Sequence, residues 1–178
     1  MSYMSRSSLP VNYCLRCGHA LEDRLVFGRM RRACPECSFV FFQEPKVAAG
    51  ALIEWGGAVL LVRRSVDPRS GAWALPAGYM EIDEGPVTAA IRECFEETGL
   101  IVRITGLFAV YHIANDPRGA GVLILYRAIP ESGKLRPGDD ASEVAYFAPD
   151  EIPGDIAFAS TRRALARWRA ERRMKDKG

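Results

Sequence analysis

Residues 78–100 (GYMEIDEGPVTAAIRECFEETGL) carry three glutamates whose spacing could do chemistry. Glu93, Glu96 and Glu97 stand at positions i, i+3 and i+4, so on a helix they share one arc of the surface. Neighbouring carboxylates repel one another, and this arc contains no lysine to offset them. Three oxygen ligands suit a hard divalent cation, so the pattern predicts a site for Mg²⁺ or Mn²⁺ that bridges to phosphates. The alternative is a merely acidic, solvated helix face.

An arginine lies directly beside this cluster. Arg92 precedes Glu93, and Glu84 stands in the turn that precedes the predicted helix. A pair between Arg92 and Glu84 would tie the loop to the helix and orient the metal ligands from behind.

Four of the five cysteines form two Cys-x-x-Cys pairs, Cys14 with Cys17 and Cys34 with Cys37. This spacing is typical of a zinc ribbon, because two tight turns can aim four thiolates at one ion. Disulfides and a thioredoxin-like redox motif are the alternatives. We rank both lower, since the chain shows no secretory signal and no βαβ pattern surrounds the cysteines. The sequence therefore predicts structural Zn²⁺.

The elements that must position these groups follow from hydrophobic periodicity and turn residues. A helix is expected to start at Pro86 and to end at Gly99, with a second helix over residues 160–175. The apolar stripe predicted for the first helix is Val87, Ala90, Ile91, Cys94, Phe95 and Thr98. Strands are predicted at residues 20–27, 30–33, 47–53, 58–63, 101–114, 122–129 and 144–147. This order predicts an α+β protein, with a zinc ribbon over 1–42 and a mixed sheet between helices over 43–178.

Composition excludes several classes. The chain has 178 residues, 48% of them hydrophobic and 26% charged, which is typical of a globular protein rather than a disordered or fibrous one. No apolar run is long enough for a membrane span, and the expected location is the cytoplasm. Residues 162–178 contain eight basic and two acidic residues. We interpret this end as a solvated helix that packs through Ala164, Leu165 and Trp168, in preference to a nucleic-acid or membrane contact.

The glutamate segment resembles the box of the Nudix hydrolases, which cleave a nucleoside diphosphate linked to another moiety. Seven residues fill the fixed positions of that box, and Cys94 is a mild departure at an apolar one. The resemblance implies a Nudix α/β/α sandwich with a mixed β-sheet. The matching residues are Gly78, Glu84, Arg92, Glu93, Glu96, Glu97 and Gly99.

The resemblance also implies roles. Glu93, Glu96 and Glu97 would be the Mg²⁺ or Mn²⁺ ligands, with the backbone carbonyl of Ala77 joining them. Glu97 is the first choice for the catalytic base and Glu143, after the loop over residues 137–142, the second, with an ordinary surface residue as the alternative for Glu143. Glu93 and Arg92 complete the predicted catalytic group, and a homodimer is expected.

Two groups of Nudix proteins carry a zinc ribbon ahead of the box. NADH pyrophosphatases have a Gln-Pro-Trp-Pro-Phe-Pro motif after it, and residues 101–121 contain nothing similar. ADP-ribose/FAD diphosphatases resemble this chain at QEPKVAAGALIE, WALPAGYMEIDEG and DEIPGDIAFAS. We therefore expect FAD or ADP-ribose to be cleaved to AMP plus FMN or ribose 5-phosphate. An NADH pyrophosphatase and a non-catalytic nucleotide-sensing or nucleic-acid-binding module are the alternatives.

Substrate contacts are predicted at three residues. Phe108 and Tyr111 follow the box, where a base or flavin could stack, and Arg63 is a candidate for the phosphates. Packing in the core is an equal alternative for Phe108. Pro117 lies roughly where ADP-ribose-cleaving members place a proline, although a plain turn explains it as well.

Overall fold

The described residues, 11–114 and 121–175 of this computed structural model, divide into a small unit through Pro45 and a larger unit from Lys46. The small unit contains a hairpin of strands β1 (Glu22–Val26) and β2 (Arg29–Ala33). Leu25 lies opposite Met30 in its antiparallel register. A turn containing two cysteines flanks the hairpin at each end, which is the arrangement of a zinc ribbon.

The larger unit is built on a seven-stranded mixed sheet. Its central path runs β5-β4-β3-β8-β7, with β6 paired to β3 and β9 paired to β4. Strands β3 and β8 are parallel, and the other pairs are antiparallel. The strands are β3 (Lys46–Trp55), β4 (Ala58–Arg64), β5 (Trp73–Ala74), β6 (Ala77–Tyr79), β7 (Leu100–Ile113), β8 (Gly121–Gly133) and β9 (Ala141–Phe147).

One helix covers each face of the sheet. Helix α1 (Pro86–Thr98) buries Cys94 against Ile53 of β3, and helix α2 (Ala159–Lys175) buries Trp168 against Leu52 of the same strand. Successive residues of a strand point to opposite faces, so β3 contributes to both cores. The expected α/β/α sandwich is confirmed.

Helix α2 packs as the sequence predicts. Ala164, Leu165 and Trp168 are buried in the core, whereas Arg162 and Arg163 are exposed. Among the described residues, neither helix combines the length and the apolar character that crossing a membrane requires.

Two expectations need correction. Strands β5 and β6 were not predicted, because segments of two and three residues show no periodicity and form by pairing with β4 and β3. The predicted apolar stripe of α1 is also partly wrong. Val87 and Phe95 are 42% and 48% exposed, while Glu93 and Glu97 are buried. The helix is rotated so that Glu93 and Glu97, rather than Val87 and Phe95, face inward, while Glu96 stays exposed.

Candidate metal and catalytic site

Strand β6 and helix α1 approach each other closely where the box glycine stands. A Cβ atom added to Gly78 would lie 2.3 Å from Cδ of Glu93. Because no side chain occupies that space, the Glu93 carboxylate packs directly against the strand, where its side chain is 10% exposed. The glycine therefore decides where this carboxylate lies.

Glu97 is the most deeply buried carboxylate of the group, with 3% of its surface exposed. Its Oε2 accepts a hydrogen bond of 3.2 Å from the backbone N–H of Ala77. Burial raises the pKa of Glu97 to about 9, and the nearby negative charges of Asp140 and Glu93 add to the effect. Within the described residues, no cation forms an ion pair with Glu97.

Arg92 organises the other carboxylates. Its Nε donates to Glu84 at 3.1 Å and its Nη2 to the carbonyl of Tyr79 at 3.0 Å, so the predicted pair with Glu84 is present. Its Nη1 donates to Glu93 at 2.7 Å and to Glu96 at 2.8 Å. The hydrogen bonds from Arg92 hold the pKa of Glu84 below its usual range. Burial raises the pKa of Glu93 despite its own bond to Arg92.

The three predicted ligands lie on one edge of the helix, but their carboxylate oxygens do not converge on one point. Among the described residues, the ligand-capable groups that gather within 4.8 Å of one another are the four cysteines, and the glutamates form no such group. Glu93 and Glu96 instead share one nitrogen of Arg92. The donors nevertheless fit Mg²⁺ or Mn²⁺ chemically, because they are hard oxygens and Glu97 is a buried carboxylate that no cation of the described part of the chain pairs with.

A loop ahead of β9 adds two acidic residues that the sequence analysis missed. The backbone N–H of Gly138 donates to the carbonyl of Glu97 at 3.2 Å, which places the loop on the last turn of α1. Asp140 then lies beside Glu97, and Asp139 is close enough to Glu93 to raise its pKa. The adjacent aspartates were the available signal, but no motif connects them to the box.

Arg63 and Glu143 form an exposed ion pair of 3.3 Å across strands β4 and β9. Arg63 also donates from Nε to the carbonyl of Gly71 at 2.8 Å. This pair is the neighbour in register of Arg64 and Ala141, which are the last residue of β4 and the first residue of β9. Strand β9 begins directly after the aspartate loop.

Phe108 and Tyr111 lie beneath helix α2 with 3% and 7% of their surface exposed. The guanidiniums of Arg127 and Arg167 each lie 4.6 Å from the centre of the Phe108 ring, and Arg163 lies 5.2 Å from that of Tyr111. Their burial beneath α2 and the arginines favours packing for both rings, and their role as substrate contacts stays a prediction. Pro117 lies outside the described residues.

The four cysteine sulfurs of the ribbon form the second candidate centre. The Sγ atoms of Cys14 and Cys37, of Cys17 and Cys34, and of Cys17 and Cys37 are each 3.5 Å apart. Zn–S bonds of about 2.3 Å place the sulfurs of a tetrahedral site about 3.8 Å apart, close to this spacing. A disulfide needs about 2.05 Å, so these sulfurs are not bonded to one another.

The two turns that carry the cysteines have matching backbones. Gly18 and Ser38 each follow a pair, and both have left-handed φ values of 76° and 59°. The backbone N–H of Cys37 donates to Sγ of Cys34 and lowers the pKa of that thiol. Thiolates stabilised by backbone N–H groups are the form that binds metal.

Comparison with known proteins supports the same interpretation. The sequence matches the NUDIX domain over residues 26–168. A NUDIX hydrolase from Nitrosomonas europaea has a crystal structure that superposes with a TM-score of 0.83 at 38% identity, covering 92% of this chain and 93% of that one.

Two curated relatives differ in their named activities. An ADP-ribose pyrophosphatase from Methanocaldococcus jannaschii is 37% identical over 118 residues, which is 66% of this chain and 69% of the relative. An NAD-capped RNA hydrolase from Chromobacterium violaceum is 26% identical over 140 residues, which is 78% of this chain and 51% of the relative.

Proposed function

Because this chain belongs to the Nudix family and is a pyrophosphohydrolase, we propose that its substrate is ADP-ribose or FAD. The reaction, with Mg²⁺ or Mn²⁺, gives AMP plus ribose 5-phosphate or FMN. The substrate is a small nucleotide rather than a membrane component or a nucleic acid. We also propose a homodimer, which light scattering of the purified protein tests.

The observation that carries the metal-dependent reaction is the buried carboxylate of Glu97. A carboxylate that is 3% exposed and has no ion pair within the described residues is costly unless a cation joins it. Glu93 and Glu96 lie on the same helix edge, but they share Arg92. We propose that these three glutamates, with the carbonyl of Ala77, hold the divalent cation.

The residues of the site have separate roles in the proposed reaction. A bound cation supplies positive charge that offsets the pyrophosphate and acidifies water. Glu97 is the first choice as the base that accepts the proton of the attacking water, because its carboxylate lies in the proposed metal site and the charge of a bound cation would favour its ionised form. Arg92 donates hydrogen bonds to Glu84, Glu93 and Glu96 and so fixes the positions of the three carboxylates relative to one another. Glu143, which is exposed and paired with Arg63, is the second choice as base.

No side chain of the box serves as a covalent nucleophile. Cys94 is fully buried on the core side of α1, and burial raises the pKa of its thiol, so little thiolate forms. Water therefore attacks phosphorus directly, and label from ¹⁸O-water enters a phosphate of one product.

The choice of substrate rests on the relatives. The M. jannaschii protein is named an ADP-ribose pyrophosphatase and is the more similar of the two curated relatives described. FAD is included because QEPKVAAGALIE, WALPAGYMEIDEG and DEIPGDIAFAS resemble stretches of ADP-ribose/FAD diphosphatases.

A turnover panel tests the proposal. The full chain is incubated with ADP-ribose, FAD and NADH, with and without Mg²⁺, and AMP and its partner product are quantified by chromatography. We expect AMP from ADP-ribose or FAD in the presence of Mg²⁺. Free adenine, nicotinamide or inorganic phosphate as the first product would contradict the reaction class.

NADH pyrophosphatase activity is the second candidate. The observation in its favour is the similarity to the NAD-capped RNA hydrolase, which extends over 78% of this chain. Turnover of NADH well ahead of ADP-ribose and FAD would favour this candidate and leave the metal chemistry unchanged. A chain that binds nucleotides without turnover would instead be a sensor.

For the ribbon we propose one structural Zn²⁺ held by the four cysteines. The spacing of 3.5 Å between sulfurs and the two matching turns support this assignment. A site closed by four thiolates has no open position for water, so its role is to stabilise the ribbon.

A further inference from the structure

Arg64, at the end of strand β4, is a buried arginine with 9% of its surface exposed. Its Nε donates to the carbonyl of Pro68 at 3.0 Å and its Nη2 to that of Val66 at 3.4 Å. The same Nη2 lies 3.8 Å from Oδ2 of Asp140. A buried guanidinium keeps its charge only with partners of this kind, so Arg64 joins the 65–71 loop to Asp140.

The backbone fixes the same contact from the other side. The N–H of Ser65 donates to the carbonyl of Asp140 at 2.7 Å, and Arg64 lies opposite Ala141 in the β4–β9 register. The Ala141 N–H donates to the carbonyl of Gly138 at 3.0 Å, which closes the loop ahead of β9. The position of Asp140 is therefore set by strand pairing and by Arg64 together.

The loop that carries Asp140 is bonded to the carbonyl of Glu97 through Gly138, and Asp140 is close enough to act on the Glu97 carboxyl, where like charges repel. Among the ion pairs formed by the described residues, the pair with Arg64 is the one that involves Asp140. The N–H of Gly138 bonds to the carbonyl of Glu97, so the loop is also anchored to the metal-binding helix. Without Arg64, the aspartate side chain would be free to turn away from Glu97.

We propose that Arg64 is a positioning residue, which holds Asp140 against Glu97 so that the loop supplies a fourth carboxylate to the metal site. The inference rests on the proposed metal-dependent function. Neither Arg64 nor Asp140 belongs to the glutamate box, and they are 76 positions apart in the sequence. Their effect is on how tightly the cation is held.

The test is a double-mutant cycle on cation binding in the full chain. Mn²⁺ is titrated without substrate, and free Mn²⁺ is followed by electron paramagnetic resonance for Arg64→Gln, Asp140→Asn and the double variant. We expect each single change to weaken Mn²⁺ binding by roughly 10–100-fold, as for other residues that orient metal ligands. The double variant should bind no more weakly than Asp140→Asn, because Arg64 acts through Asp140.

Controls separate positioning from folding. Arg103→Gln removes an exposed arginine that pairs with Glu131 at 3.9 Å, and it should leave Mn²⁺ binding unchanged. If Arg64→Gln does not fold, Arg64→Met, which fills similar space without a charge, takes its place in the cycle. Unchanged Mn²⁺ affinity in the Arg64 variant, or an equal further loss in the Asp140→Asn background, overturns the inference. A chain that follows the expected cycle but cleaves neither ADP-ribose nor FAD contradicts the proposed substrate alone.

Discussion

Arg92 and Glu84 are joined by two hydrogen bonds, 3.1 Å from Nε to Oε2 and 2.5 Å from Nη2 to Oε1. The pair connects the loop ahead of α1 to the helix that carries the glutamates. Its geometry is bidentate and charge-assisted, which is the strong form of such a contact. The fork of Arg92 also leaves its remaining nitrogen to hold Glu93 and Glu96.

We expect Glu84→Gln to lower kcat/KM by roughly 10–100-fold while the circular dichroism spectrum is retained, because the amide cannot accept both hydrogen bonds. Steady-state kinetics with ADP-ribose and Mg²⁺ measure the effect. Glu131→Gln is the matched control, since Glu131 forms an exposed 3.9 Å pair away from the box. Equal losses in both variants would mean that the Glu84 pair does not orient the ligands.

Glu97→Gln should remove most turnover and leave the fold intact. Loss of one anionic ligand or base costs about 2.7–4 kcal/mol of barrier, which corresponds to roughly 10²–10³ in kcat. Cys94 lies one turn before Glu97 on the same helix but faces the core, so Cys94→Ala is the comparison. It should lower stability by about 1–2 kcal/mol and leave the Mg²⁺ dependence unchanged. Steady-state kinetics and denaturant unfolding are measured for both variants. Equal activity losses would refute the assignment of Glu97 to the metal site and of Cys94 to the core.

Without added divalent cations, thermal stability should fall as the pH rises. The fold raises the pKa of Glu97 from 4.5 to about 9, so its protonated form is favoured in the folded state. That contribution is fully present below pH 4.5 and is lost as the pH rises through about 9. Each pKa unit corresponds to about 1.4 kcal/mol, so the loss is on the order of a few kcal/mol.

Differential scanning calorimetry between pH 5 and 9 measures this dependence. Glu97→Gln should flatten the profile, because the amide does not titrate, and Mg²⁺ should restore stability at high pH. A profile that Glu97→Gln leaves unchanged would show that another group controls the stability.

Freshly purified protein should contain one Zn²⁺ per chain, measured by elemental analysis. Cys34→Ser should lower that content and loosen the ribbon, because a hydroxyl is a poor zinc ligand. Cys94→Ser is the control, since Cys94 is a buried cysteine of helix α1 and lies outside the cluster of four. Absence of zinc together with oxidised thiols at positions 14, 17, 34 and 37 would contradict the assignment.

Local patterns in the sequence determined the elements and the chemistry-bearing residues. Helix α1 begins at Pro86 and is capped by Gly99, as expected. The helix then places Glu93, Glu96 and Glu97 on neighbouring turns of one edge. The Cys-x-x-Cys spacing likewise predicted the sulfur cluster. These predictions succeed because both features depend on residues close together in the chain.

Tertiary structure alone decided which side chains meet across long stretches of sequence. The contact of the Gly138 N–H with the Glu97 carbonyl brings Asp140 beside Glu97, and the packing of α2 places arginines over Phe108 and Tyr111. The rotation of α1 buries Glu97 while it leaves Phe95 exposed. Periodicity identifies the faces of a helix but not their neighbours, because burial depends on which strands and loops cover each face once the sheet has formed.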